Sequence, residues 1–116
     1  MSEIGLEELA ERLGEVALVD VRRPEEFDGS IGAPCDPRQG HIPGAVNFPV
    51  EELVSLGPDE IRARLGLPAR AEVVVYCHSG SRSRAAAQVL HAAGYDARNY
   101  VGSWHEWSRS DQPLEA

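Results

Sequence analysis

The run Val73-Val74-Val75-Tyr76-Cys77-His78-Ser79-Gly80-Ser81-Arg82-Ser83-Arg84 changes character at its cysteine. Val73 to Tyr76 is uninterrupted, β-branched and aromatic, the pattern of a strand buried on both faces. Past Arg84, the residues Ala86, Val89, Leu90 and Ala93 fall at i, i+3, i+4 and i+7, one apolar helix face, and Gly94 follows as its stop. Between strand and helix lies a tight loop of small residues that begins with Cys77. Such a loop turns successive backbone N–H groups and a helix N-terminus toward its interior, which makes it an anion cradle. Arg82 and Arg84 add two guanidinium groups beside it. A thiol placed there is pushed toward the thiolate; free cysteine titrates near about 8.5, and comparable sites bring it to neutrality or below. A buried cysteine can also serve as a small core residue, but a packed core has no need of the polar, flexible residues directly behind this one. Cys77 therefore reads as a nucleophile that carries a negative group during turnover.

The surroundings of this stretch set limits on partners. The 116 residues are enough for one domain that buries roughly two-thirds of its unfolded surface. The formal net charge of -8 argues against nucleic acid and against anionic membrane surfaces as main partners. It also makes Arg82 and Arg84 a cationic spot on an acidic body. No apolar run approaches the ~20 residues of a membrane span. Met1 to Leu13 lacks the basic and apolar regions of a signal peptide, so the expected location is the cytoplasm. In that reducing compartment Cys35 and Cys77 are expected as two thiols rather than one disulfide.

Read in order, Leu6, Leu9, Ala10 and Leu13 trace a helical face ending at Gly14. Val16 to Val19 is a second buried strand, closed by Asp20-Val21-Arg22-Arg23. Pro24 opens a short helix over 25–28, and 29–40 is loop, rich in glycine and proline. His41 to Gly44 is a turn, 45–48 a brief strand, and short helices follow over 50–56 and 58–65. Residues 97–101 form the last strand, and 102–108 turn into a short helix carrying Trp104 and Trp107. The core is expected over about 4–109, with the tail 110–116 frayed. Alternating strands and helices indicate an α/β sheet covered on both faces, with the ligand beyond the carboxyl ends of the strands. That edge carries Asp20 and Arg22 as well as Cys77.

Four landmarks in this order, VDVRRPEEF, GHIPGAVNFP, VVYCHSGSRSRAA and YVGSWHEW, resemble the rhodanese (sulfurtransferase) family across nearly the whole chain. The resemblance implies a rhodanese-like fold, a central five-stranded, mostly parallel sheet with helices on both faces. It implies that Cys77 accepts a sulfane sulfur and becomes a persulfide, surrounded by the N–H groups of His78, Ser79, Gly80, Ser81 and Arg82. It also implies that Asp20, Arg22 and His41 shape the site. The Cys77–Arg82 loop has the length of sulfur-transferring members. The related phosphatase and arsenate-reductase branch places an arginine where this chain has Ser83. Two-domain thiosulfate and mercaptopyruvate sulfurtransferases carry a substrate-gripping arginine at the position of Glu26. Ser79 matches the serine of the mercaptopyruvate loop, where a thiosulfate enzyme of that type has lysine. The expected small-molecule donor is thiosulfate or mercaptopyruvate, with a thiol, a partner protein or cyanide as acceptor. A persulfide carrier or sensor that delivers sulfur to a partner protein is the alternative.

Among individual residues, Arg82 is the candidate to hold the donor's anionic end by a charge-assisted contact. Arg84 either assists or points away to pair with an acid. Asp20 and Arg22 read as a structural ion pair behind the loop, and His41 as a hydrogen-bonding residue of its turn. His78 lines the cradle by position. Trp104 and Trp107 read as packing. Cys35 reads as an incidental loop cysteine, since the glycines and prolines around it give no fixed approach to Cys77. No C-x-x-C or H-x-x-x-H spacing points to a metal, and no glycine fingerprint to a nucleotide, so no cofactor is expected.

Overall fold

In the computed structural model, residues 2–116 are described; Met1, the first residue of the expected domain, lies outside them. The elements in chain order are β1 (Ser2–Ile4), α1 (Leu6–Glu11), β2 (Ala17–Asp20), α2 (Pro24–Phe27), β3 (Val46–Asn47) and α3 (Val50–Ser55). They continue with α4 (Pro58–Leu65), β4 (Glu72–Tyr76), α5 (Ser81–Ala92), β5 (Asp96–Tyr100) and α6 (Ser103–Trp107). The five strands form one sheet in the order β1-β5-β4-β2-β3, with every described pairing parallel.

The continuous apolar run of β4 has its explanation in the layers. Val73 and Val75 face a cluster with Leu53 of α3, Ile61 of α4 and Ala86 and Leu90 of α5. Val74 and Tyr76 face the opposite cluster, with Leu9 of α1 and Trp104 and Trp107 of α6. Both faces of the strand are thus sealed, as a central parallel strand requires. Parallel pairing also aligns strand ends: Asp20 sits beside Tyr76 in the register of β2 and β4. The turns after both strands therefore open on one edge of the sheet. No described helix is long and apolar enough to cross a membrane.

Two expectations need correction. The N-terminal residues hold a strand before the helix: β1 pairs Ser2, Glu3 and Ile4 with Arg98, Asn99 and Tyr100, and α1 ends at Glu11, short of Leu13. The tail 110–116 is tied down rather than frayed. Glu115 and His41 exchange backbone hydrogen bonds of 2.7 and 2.9 Å, the Trp107 indole N–H donates to Pro113 O at 2.8 Å, and Leu114 packs against the α1–α6 cluster.

Candidate active site

Cys77 is the first residue past β4, and three side-chain and backbone contacts hold its loop from outside. Trp104 N–H donates to Cys77 O at 2.9 Å, and His105 N–H donates to His78 O at 2.8 Å. Cys77 N–H in turn donates to the Ser103 hydroxyl at 3.1 Å. Gly80 then takes φ +99°, and a Cβ there would meet Val101 O at 2.8 Å, so glycine is required for both conformation and space. This turn aims the Gly80 N–H at the sulfur, 3.1 Å from Cys77 Sγ. Helix α5 starts at once, at Ser81.

Cys77 has 0% exposed surface. Burial pushes its thiol up, but hydrogen bonds from the Ser83 hydroxyl and from the N–H groups of Ser83, Gly80 and Ser79 outweigh it, and the thiol ends below its ordinary value. The loop amides expected from the sequence contribute to this effect, and the Ser83 hydroxyl contributes more than any one of them. Ser83 was read only as the residue that replaces an arginine. It is fully buried, donates to Asn99 Oδ1 at 2.7 Å and lies 3.1 Å from Gly80 O. Its proton can turn among these acceptors and the sulfur. Ser83 stands one helical turn before Ala86 and Ala87 on the buried face of α5, and that spacing is the signal that could have revealed it.

Behind the loop, Asp20 and Arg22 form the expected ion pair, with Arg22 Nη2 at 2.8 Å from Asp20 Oδ2 and both residues buried. Arg22 Nη2 also donates to Gly40 O at 2.6 Å, and its guanidinium lies over the rings of Tyr76 and Trp104. The pair therefore clamps the 29–40 loop onto the sheet. His41 serves the same turn: Nδ1 lies 2.7 Å from Phe27 O, and its ring stacks on Phe27 at 3.7 Å. Arg84 is exposed and borders a surface depression with Ser2, Glu3 and Asn99. Ser79 and Ser81 are exposed, Gly80 buried and His78 half-buried.

Two ionic clusters form the rim. Arg82 Nη1 lies 3.0 Å from Glu26 Oε1, and Nη2 lies 3.4 Å from Glu26 Oε2, so the guanidinium fork read as a donor-anion grip is engaged by a neighbour. Burial raises the Glu26 carboxyl, but Arg82 and the Arg23 N–H hold it below its ordinary value. On the other side, His78 Nε2 meets Asp36 Oδ2 at 2.7 Å, and Arg109 Nη1 donates to Asp36 Oδ1 at 2.9 Å. Arg109 also donates to Cys35 O at 2.7 Å, which fixes the loop that its composition suggested was loose. Ligand atoms of Cys35, Asp36 and His78 come within 4.8 Å of one another, a grouping that no linear spacing announces. Arg109 already supplies a cation to this group.

A family model described as a rhodanese-like domain matches residues 5–110. The sulfur carrier protein TtuD of Thermus thermophilus is 40% identical over 110 residues, covering 81% of this chain and 39% of its own length. A solved structure described as a probable thiosulfate sulfurtransferase shares 46% identity and a TM-score of 0.88, over 98% of this chain and 47% of that one. The human single-domain sulfurtransferase TSTD1 shares 33% identity and a TM-score of 0.70, over 95% of this chain and 97% of that one. The chain spans 36% to 62% of the length of curated relatives that it matches.

Proposed function

Because the chain belongs to the rhodanese-like domain family, we propose that it is a sulfurtransferase that moves a sulfane sulfur through a persulfide on Cys77. The observation that carries this reading is the sulfur itself. Cys77 Sγ lies in a loop whose amide at Gly80 points to it from 3.1 Å, and its thiol is acidified although it is buried. In the first half-reaction the Cys77 thiolate attacks the outer sulfur of a donor such as thiosulfate. The donor S–S bond breaks and sulfite leaves with the electron pair. The loop amides stabilise negative charge on the persulfide, as an oxyanion hole does for oxygen. In the second, a thiophilic acceptor (cyanide, a small thiol or a protein thiol) attacks the outer sulfur and returns Cys77 as thiolate. Mercaptopyruvate is a second donor for the same thiolate, and a reducing compartment such as the cytoplasm suits the two free thiols.

The test is mass spectrometry of the intact protein after exposure to thiosulfate. The wild type gains the mass of one sulfur atom, which cyanide removes as thiocyanate. Cys77→Ser gains none and keeps its fold, because the exchange is small and a hydroxyl is a far weaker nucleophile. A Cys77→Ser variant that still forms thiocyanate defeats the proposal. The similarity to a sulfur carrier protein favours a second reading, delivery of the sulfur to a partner protein. Transfer from the loaded protein to protein thiols, much faster than steady-state turnover with cyanide, distinguishes that reading.

A further inference from the structure

We propose that Glu26 sets the charge of the donor: closed on Arg82, it disfavours dianions such as thiosulfate and favours monoanionic sulfane donors such as organic thiosulfonates. The inference rests on Cys77 as the sulfur-accepting thiolate. It begins from the Glu26–Arg82 pair, in which both carboxylate oxygens face both terminal nitrogens of the guanidinium. Glu26 is fixed from a second direction by the Arg23 N–H, 3.1 Å away, and its side chain is only 13% exposed. Arg82 is near enough to Cys77 to feel the charge of its thiolate. The cation nearest to the sulfur in sequence is therefore paired with a carboxylate before any donor arrives.

The neighbouring arginines do not replace it. Arg22 is buried against Asp20 and Gly40 O, Arg109 is held by Asp36 and Cys35 O, the Arg23 guanidinium faces the same Glu26 carboxylate with Nε 3.8 Å from Oε1, and Arg84 is exposed beside Ser2 and Glu3. What remains for the donor is the ring of loop amides, which suits one negative charge, and a carboxylate, which repels a second. Since Cys77 has no exposed surface, a donor reaches it only as the side chains around it move. A dianion must then either approach Glu26 or displace it from Arg82. The chemistry is the same for both donor classes. The Cys77 thiolate attacks the outer sulfur, the donor S–S bond breaks, and its electron pair leaves on sulfite from thiosulfate or on sulfinate from a thiosulfonate. The leaving group carries one charge less in the second case, so Glu26 opposes its departure less.

The experiment compares thiosulfate with the methanethiosulfonate anion in the wild type, in Glu26→Gln and in Glu11→Gln. Glu11 is an exposed acid of α1, so its variant changes net charge equally without touching the pair. The expected result is that Glu26→Gln raises kcat/KM for thiosulfate about tenfold, mainly through KM, and changes the monoanion by less than about threefold. Glu11→Gln changes neither. A thiosulfate-to-thiosulfonate ratio that stays put, or a higher thiosulfate KM in Glu26→Gln, overturns the proposal and makes Glu26 a residue that orients Arg82. If Glu26→Gln does not fold, the wild type decides: sulfate protects Cys77 from alkylation no better than methanesulfonate if Glu26 masks Arg82, and clearly better if it does not. If neither donor loads Cys77 in the wild type, the sulfurtransferase reading falls first and this one with it.

Discussion

Removing the hydroxyl of Ser83 takes from the Cys77 thiolate the side-chain contribution that works hardest against its burial. A hydrogen bond to a charged group is worth about 1.5–3 kcal/mol, and one pKa unit is about 1.36 kcal/mol. Ser83→Ala should therefore raise the Cys77 pKa. Because the wild-type value lies below the ordinary one, alkylation by iodoacetamide should rise with pH through a limb below that of free cysteine. In Ser83→Ala this limb should move toward higher pH, with a similar plateau. A variant whose limb coincides with that of the wild type would assign the acidity to the loop amides alone. The sequence made Cys77 legible because its neighbours change so abruptly from apolar to small and polar. Ser83 was hidden because a serine inside a helical period looks like any solvated position, and only the fold turns it inward to meet Asn99. Glu26 and Asp36 were hidden for a related reason: their partners, Arg82 and Arg109, are 56 and 73 residues away.

Among elements, β4 and α5 could be read directly, since burial on both faces forces a continuous apolar run and burial on one face forces a helical period. Strand β1 could not. It is three residues long with the pattern exposed, exposed, buried, and such an edge strand has no period of its own. What holds this edge is pairing with β5 and a set of ion pairs. Arg98 of β5 reaches Glu8 of α1 at 2.7 Å, Glu72 of β4 at 3.2 Å and the Glu3 carbonyl at 2.8 Å. Arg12 closes the set on Glu72. The hydrogen bonds from Arg12, and then Arg98, push the Glu72 carboxyl down to about 2. A carboxyl lowered on folding stabilises the fold above its unfolded value of about 4.3, and that stability is lost as pH falls toward about 2. Glu72→Gln should accordingly show a shallower fall in Tm between about pH 5 and pH 2 than the wild type. At neutral pH the cost should be modest, roughly 1 kcal/mol or less, because the cluster is partly solvated. Equal slopes in both proteins would mean that these pairs contribute nothing measurable to folding.

At the scale of the whole molecule, the tail joins the two halves of the site's support. Its composition, polar with one proline, is that of a loose end, and no local pattern reveals that it returns to the turn at His41. Once there it is held by many small contacts. Arg38 donates to Trp107 O, Ser108 O, Ser110 O and Gln112 O over 2.8 to 3.1 Å, binding the 29–40 loop to the chain beyond α6. Gly44 N–H donates to Glu115 Oε1 at 3.1 Å, and Gly40 lies so close to Glu115 O that a Cβ there would collide with it. The same Gly40 carbonyl receives Arg22, so tail, loop and buried ion pair form one chain of support under Cys77. Removing residues 112–116 would leave the buried Trp107 N–H without Pro113 O and His41 without its backbone partner. An unsatisfied buried donor costs about 1–3 kcal/mol, and for a domain near this size each kcal/mol lowers Tm by about 4–8 °C. The truncated protein should melt at least about 5 °C lower, with faster amide exchange at His41, while Cys77 still reacts with iodoacetamide. An unchanged Tm together with unchanged exchange at His41 would show that the tail frays, as its composition suggests, and that Arg22 and Arg38 hold the loop without it.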